Sequence, residues 1–154
     1  SPDIVTFGKG ISSWFPMAGV MASSNIMDSL SLGCLGGTYG GNAISSAAAN
    51  ATIDILNNPN LNNDIISLGN YIKINIKNNP RVKDVRQYGL MIGIEFYGNN
   101  DFTYNILESL RDKGILVLLA GNNNQYIRLL PPLTISKSEV DIFLDSFSTI
   151  LNNY

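Results

Sequence analysis

An eight-residue polar segment, NNPNLNND at residues 57–64, constrains the fold of this 154-residue chain more than any other feature. Asparagine, aspartate and proline favour turns and interrupt helices and strands. We therefore predict that regular structure breaks here. The chain would then form two units, residues 1–58 and residues 59–154.

The first unit is predicted to open with a short apolar strand at residues 3–7, which ends at the sequence Gly8-Lys9-Gly10. A second extended stretch covers residues 19–22, and a glycine-rich loop covers residues 33–41. Asn42 is a suitable N-cap for the small-residue helix that follows, AISSAAANATIDIL.

The second unit mixes helical and extended patterns. It opens with a helix, a further helix ends at Gly114, and a last helix begins with a capping box formed by Ser136 and Glu139. The predicted strands lie at residues 82–85, 90–96, 115–119 and 126–130. The fold class is therefore α/β, with an α/β piece first and a small α+β unit after it.

The composition excludes several functional classes. With 45% apolar residues, 14% charged residues and a net charge of −2, the chain is typical of a globular protein with no nucleic-acid partner. Its apolar stretches are too short to span a membrane. The chain has no histidine and one cysteine, Cys34, so it cannot build a structural zinc site or a Ser-His-Asp triad.

The single cysteine also favours a reducing compartment. We expect a cytoplasmic location, with a mitochondrial one left open, because a chain that begins at Ser1 looks like a fragment. Cys34 itself is expected to be inert.

Lys9 lies between two glycines directly after the first predicted strand. Glycines disfavour helix and leave room for a flat group against the backbone. A lysine in a confined site is more easily deprotonated, and its amine can then attack a carbonyl to form an imine. The alternative is a solvated lysine in a tight turn.

The same two glycines could instead begin a dinucleotide-binding fingerprint, which predicts NAD binding. Asp28 lies near the distance expected of a ribose-binding carboxylate. However, Ser13 stands where the third glycine belongs, and Pro16 falls inside the helix that should follow.

Two further residues are candidate anion ligands. Thr38 lies in GCLGGTYGGN, where exposed backbone N–H groups and a helix N-terminus could hold a phosphate, although a flexible surface loop is an equal alternative. Arg128 lies in YIRLLPPL, on the opposite face from Ile127 and Leu129. It could clamp a carboxylate or be an ordinary exposed strand residue.

Four segments in order resemble the class III, pyridoxal-phosphate-dependent aminotransferases, in particular the 4-aminobutyrate, acetylornithine and ornithine branches. They are PDIVTFGKGISSWFPMAGV, LGGTYGGNAISSAAANATIDIL, DVRQYGLMIGIEF and GILVLLAGNNNQYIRLLPPLTISKSEVD. The resemblance implies the C-terminal part of a fold-type I transferase. Residues 1–58 would be the end of the large cofactor-binding domain, and residues 59–154 the small C-terminal domain.

The resemblance also implies roles for four residues. Lys9 would hold pyridoxal 5′-phosphate as an imine and would shuttle the substrate proton. Thr38, with Gly37 beside it, would contact the phosphate bound mainly by the partner subunit of a homodimer with shared active sites. Arg128 would receive the carboxylate of 2-oxoglutarate or glutamate. Trp14 stands where relatives usually carry a small residue, often glycine.

The implied reaction moves an amino group from an ω-amino donor to 2-oxoglutarate, with 4-aminobutyrate slightly favoured over acetylornithine or ornithine. Family members are usually more than twice this length, so we expect the fragment alone to bind cofactor poorly and to be inactive. Two alternatives stay open. One is a truncated, non-catalytic relative or interaction module, and the other is a different enzyme of the same cofactor family, such as an aminomutase or a racemase.

Overall fold

A computed structural model describes all 154 residues. The chain divides into two compact units, Ser1–Pro59 and Asn60–Tyr154. No helix is both long and apolar enough to cross a bilayer. In chain order the elements are β1 (Ile4–Phe7), β2 (Gly19–Ala22), α1 (Ser24–Met27), α2 (Ala43–Leu56), α3 (Pro59–Lys77), β3 (Val82–Tyr88), β4 (Met91–Phe96), α4 (Asn100–Asp112), β5 (Leu118–Ala120), β6 (Tyr126–Leu129) and α5 (Lys137–Asn152).

The first unit is built around an antiparallel pair, β1 and β2, and the helix α2. Phe7 lies opposite Gly19 in this pair. A Cβ at Gly19 would come within 2.2 Å of the Phe7 ring, so a side chain there would displace this ring. Only three small residues of this unit are buried: Ser12, Ser45 and Ala49. The unit therefore has no large apolar core of its own.

The second unit contains an antiparallel four-stranded sheet with strand order β3-β4-β6-β5. Alternate residues of β4 are buried on one face of the sheet, as the strand period of two requires. Helices α3, α4 and α5 contribute the rest of the core. The most deeply buried members of this core include Ile92, Ile94, Ile106, Leu110 and Ile127.

The predicted helix ends are confirmed at three sites. The Asn42 side chain accepts a hydrogen bond from the Ser45 amide at 3.0 Å. After α4, Gly114 has a φ of 76°, and the Ile115 amide donates to the Leu110 carbonyl at 2.9 Å, which is the geometry of a Schellman cap. The Ser136–Glu139 capping box is present at the start of α5.

The structure corrects two sequence-based predictions. The prediction that residues 57–64 break regular structure is wrong for most of that segment, because α3 begins at Pro59. Proline suits the first position of a helix, where its missing N–H would have no partner and its fixed φ is already helical. The strand predicted at residues 115–119 is displaced, since pairing with β6 begins only at Leu118.

Candidate active site

Lys9 begins a short 3₁₀ turn after β1, and Gly8 before it is extended. The backbone of Lys9 is left-handed, with a φ of 53°, a conformation that costs a non-glycine residue about 1–3 kcal/mol. Ser13 and Trp14 are also left-handed, with φ values of 44° and 83°. Because strained residues concentrate at functional sites, the backbone alone draws attention to the segment that starts at Lys9.

The Lys9 side chain is exposed and forms no hydrogen bond or ion pair within the chain. The flanking glycines predicted a confined site, but no element of these 154 residues covers the amine. With no carboxylate competing for it, the Lys9 amine is available to an external carbonyl group.

Helix α2 packs against the turn that carries Lys9. The hydroxyl oxygens of Ser13 and Thr52 lie 3.1 Å apart and share a hydrogen bond. Ser12 is fully buried, and its hydroxyl donates to the Phe15 carbonyl. These short polar side chains allow the helix to approach the backbone closely and to fix the lysine turn.

The glycine-rich loop is exposed throughout residues 33–41. Its turns are closed by backbone hydrogen bonds, including one from the Gly40 amide to the Gly37 carbonyl at 3.1 Å. A Cβ at Gly37 would meet no atom within 4 Å, and the Thr38 hydroxyl has no partner. The exposed hydrogen-bond donors of this loop lie beside the N-terminus of α2, and this combination favours the binding of an anion.

A cavity of about 410 Å³ joins the segment after the lysine turn to the end of the glycine-rich loop. Its walls are formed by two short stretches, namely Pro16, Met17 and Ala18 on one side and Tyr39, Gly40, Gly41, Asn42, Ser45 and Ser46 on the other. Neither Lys9 nor Thr38 lines this cavity. The structure therefore places both residues in the first unit without bringing them into one cavity.

Arg128 lies on β6 in the second unit, paired with Gly93 of β4 on one side and Leu118 of β5 on the other. As its alternation with Ile127 and Leu129 predicted, it points away from the buried face, and its side chain is exposed. The guanidinium forms no hydrogen bond or ion pair within the chain. It borders a cavity of about 300 Å³.

Glu95, a carboxylate of the neighbouring strand β4, has other partners. Lys83 donates to Glu95 Oε1 at 2.7 Å, and the Tyr126 hydroxyl donates to Oε2 at 3.3 Å. The hydrogen bond from Lys83 lowers the pKa of Glu95, so this carboxylate stays charged and paired. The positive charge of Arg128 is therefore left for an external anion.

Sequence reasoning missed one residue of this cavity, Arg86 of β3, which also lines it. Arg86 was part of a segment that resembles the aminotransferases but was assigned no role. The sequence VKDVRQY of β3 shows no clean alternation of apolar and polar residues, so it gave no signal for Arg86. Strand register, which a single sequence does not specify, places Arg86 near Arg128.

Comparison with known proteins decides the family. The family model for class III aminotransferases matches residues 1–151.

The chain belongs to the class III aminotransferase family.

Curated relatives of this class III chain carry several aminotransferase names. It is 38% identical over 143 residues to the acetylornithine aminotransferase of Bacillus subtilis (strain 168), an alignment that covers 91% of the chain and 36% of that protein. It is 35% identical over 151 residues to the 4-aminobutyrate aminotransferase of Escherichia coli (strain K12), covering 91% and 35%. The chain thus spans little more than a third of the length of these relatives.

Solved structures confirm the predicted fold class. The acetylornithine aminotransferase from Elizabethkingia anophelis superposes with a TM-score of 0.87 at 28% identity, over 100% of this chain and 42% of that one. A phospholyase from Arthrobacter in complex with phosphoethanolamine gives a TM-score of 0.92 at 25% identity, over 100% and 39%. The class III chain is a C-terminal portion of this α/β fold.

Class III aminotransferases depend on pyridoxal 5′-phosphate. The residues present fit part of this cofactor's requirements. Lys9 offers an amine that has no hydrogen-bond or ion-pair partner within the chain, so this amine is available to the aldehyde of the cofactor. Thr38 and the open backbone at Gly37 offer donors of the kind that phosphate oxygens accept.

Proposed function

We propose that the complete protein moves an amino group from an ω-amino donor to 2-oxoglutarate, with 4-aminobutyrate as the favoured donor. The observation that carries this proposal is the partner-free amine of Lys9, held on a strained backbone in a chain of the class III family. Relatives are named for acetylornithine, 4-aminobutyrate, ornithine and 5-aminovalerate. A terminal amine on a carboxylate-bearing chain is common to these donors.

Pyridoxal 5′-phosphate, when bound, supplies an aldehyde and an electron sink for the carbon that carries the amine. Lys9 would hold the cofactor through Nζ. The same nitrogen, once released, would move a proton to and from the substrate carbon. Lys9 begins a 3₁₀ turn against which α2 packs. This packing would hold the Lys9 side chain in a constant position for proton transfer.

Thr38 and Gly37 would contribute to the phosphate site of the partner subunit in a homodimer with shared active sites. Their exposure supports this role, because the Thr38 hydroxyl has no hydrogen-bond partner within the chain and the space beside Gly37 is open. Large apolar side chains that the first unit leaves exposed would be covered in such an assembly. They include Leu32, Leu35 and Tyr39.

Arg128 would bind the carboxylate of 2-oxoglutarate or glutamate through its free guanidinium. We also propose that the first unit is the end of the large cofactor-binding domain and that the second is the small C-terminal domain. A cytoplasmic location belongs to the same proposal. Residues 1–154 alone would bind the cofactor poorly and would not turn over, because the other groups that hold it would lie elsewhere in the complete protein.

The test is to add pyridoxal phosphate to the complete protein, reduce with borohydride and map the labelled peptide. We expect the label on Lys9, and we expect the Lys9→Ala variant to lose both the label and the visible absorption band. Lys73→Ala and Lys113→Ala are matched controls, since both lysines lie in the second unit, and they should keep the label. A label on either of those lysines would contradict the assignment.

The likeness to a phospholyase supports a second candidate, a lyase with the same lysine but no keto-acid acceptor. Dependence on 2-oxoglutarate separates the two candidates. Product formed from an ω-amino donor only when 2-oxoglutarate is present indicates transfer. Release of phosphate from phosphoethanolamine without a keto acid would indicate the lyase, and absence of any labelled lysine would indicate a non-catalytic relative.

A further inference from the structure

The position of the Lys9 amine depends on the backbone, because the side chain forms no hydrogen bond or ion pair within the chain. Lys9 begins a 3₁₀ turn, and Ser13 caps this turn by donating its amide hydrogen to the Gly10 carbonyl at 3.3 Å. Lys9 and Ser13 are both left-handed, with φ values of 53° and 44°. Such conformations persist only where the surrounding structure holds them. Contacts that hold Ser13 therefore also hold the turn from which Lys9 projects.

Two consecutive hydrogen bonds connect Ser13 to helix α2. The Thr52 hydroxyl donates to the Ala48 carbonyl of the same helix at 2.9 Å. A hydroxyl group has one hydrogen to donate. The hydrogen bond of 3.1 Å between the Ser13 and Thr52 hydroxyls is therefore donated by Ser13 and accepted by Thr52. Thr52 thus has one partner in its own helix and one at the end of the lysine turn.

The other short polar side chain of this segment acts only locally. The Ser12 hydroxyl donates to the Phe15 carbonyl, three residues further along the same segment. This bond shapes the segment but does not connect it to α2. The connection from Thr52 to Ser13 does so, and Ser13 is exposed while Thr52 is half-buried. Because water competes for an exposed bond, we expect the net effect of one ordinary hydrogen bond.

We propose that Thr52 is a positioning residue for Lys9. Through Ser13, its hydroxyl holds the lysine turn against α2 and so fixes the direction in which the Lys9 amine projects. This inference rests on the proposed role of Lys9. An amine held in one direction meets a bound aldehyde more often in a productive orientation.

Loss of the Thr52 hydroxyl should therefore slow the attachment of the cofactor to Lys9. In this step the neutral amine adds to the aldehyde carbon. A carbon–nitrogen double bond replaces the carbonyl, and the two amine hydrogens leave with the aldehyde oxygen as water. No oxidant or reductant is needed.

The test follows the appearance of the visible absorption band after pyridoxal phosphate is added to the cofactor-free complete protein. Thr52→Val should slow this rate about fivefold, since it removes the acceptor of one hydrogen bond. Thr52→Ser keeps the hydroxyl and should restore most of the rate. Ser13→Ala leaves the bond from Thr52 to Ala48 in place and should slow the rate as much as Thr52→Val. The double variant should be no slower than either single one, because both remove the same bond.

Thr149→Val is the matched control. The Thr149 hydroxyl also donates to the carbonyl four residues earlier, that of Asp145 at 2.8 Å, but it lies on α5. This replacement should leave the rate of cofactor attachment unchanged. Should Thr52→Val fail to fold, Ser13→Ala and Thr52→Ser still give the comparison.

The proposal is overturned if Ser13→Ala attaches the cofactor at the original rate, if Thr52→Ser is as slow as Ser13→Ala, or if Thr149→Val slows attachment equally. Borohydride reduction of each variant separates this inference from the proposed function. A label on Lys9 with unchanged rates would overturn the positioning role alone. A label on a different lysine would overturn the proposed function as well.

Discussion

Trp14 combines two features that rarely occur in one residue. Its indole is fully exposed, and its backbone φ is 83°, a region that L-residues other than glycine, asparagine and aspartate seldom adopt. The side chain gains no contacts within the chain that would offset the backbone strain. This geometry also explains why a glycine suits the position, as the resemblance indicated.

Replacing Trp14 by glycine should therefore stabilise the complete protein. We expect the free energy of unfolding to rise by about 1 kcal/mol, because a left-handed conformation costs an L-residue 1–2 kcal/mol and glycine almost nothing. Thermal melts of the cofactor-free protein would measure the shift. Trp14→Ala is the control, since alanine keeps the strain. Equal stabilisation by both replacements would assign the effect to loss of the indole instead.

At the scale of elements, helix α5 is tied to α3 by a polar cluster. The Tyr71 hydroxyl donates to Asp141 Oδ1 at 2.8 Å, and Lys137 donates to both oxygens of Asp141. The Lys137 ammonium also lies 4.4 Å from the centre of the Tyr71 ring. Hydrogen bonds from Lys137 and then Tyr71 lower the pKa of Asp141, and the bond to Asp141 raises the pKa of Lys137.

The cluster should make stability depend on pH at both extremes. A lowered pKa of Asp141 gives stability that is present above its unfolded value, about 3.9, and is lost as pH falls through the folded value. A raised pKa of Lys137 gives stability that is present below about 10.4 and is lost as pH rises through the folded value. Asp141→Asn should therefore lower the melting temperature at neutral pH.

The difference in melting temperature between the original protein and Asp141→Asn should shrink below about pH 4 and above about pH 10. Asp145→Asn is the control, because Asp145 lies exposed on the same helix without an ion-pair partner. It should show no such profile. A difference for Asp141→Asn that is constant over the whole pH range would rule out the ionic origin.

Element ends were predictable because local side chains determine them. Asn42, Gly114 and Ser136 each satisfy backbone groups within a few residues of themselves. Long-range approach was not predictable. Gly69 looks like a weak point of α3, yet a Cβ there would lie 2.1 Å from the Gly89 carbonyl oxygen, so the β3–β4 turn requires this glycine.

In the candidate site, too, local features were predictable from the sequence and long-range relations were not. Lys9, Thr38 and Arg128 were identified from neighbouring residues and from a resemblance, and their proposed roles stay predictions. Arg86 was missed because its relation to Arg128 arises from the pairing of three strands. The exposure of Lys9 agrees with the alternative of a solvated lysine in a tight turn, and its glycine neighbours could not decide between the two interpretations.

For the whole molecule, the apolar core is confined to the second unit. Every member of its buried hydrophobic cluster lies between Ile72 and Leu151. The first unit buries only small residues and exposes several large apolar ones. Burial of apolar surface is the main favourable term in folding, so the two units differ in their capacity to fold alone.

Residues 60–154 expressed alone should show a cooperative thermal transition by circular dichroism. Residues 1–59 expressed alone should show none and should bind a hydrophobic dye, because their apolar side chains lack a core to enter. Comparison of the two segments under one buffer gives the measurement. A sharp transition in residues 1–59 would contradict this account of where the stability resides.

The position of β3 at the edge of the sheet has a further consequence. Edge strands offer unpaired backbone groups to other chains, and charged side chains hinder that pairing. The edge strand β3 carries such charged side chains, which hinder its pairing with another chain: Lys83, Asp84 and Arg86. Replacing Arg86 by an apolar residue would thus promote self-association of the chain, whereas a polar replacement would hinder it almost as well as arginine does.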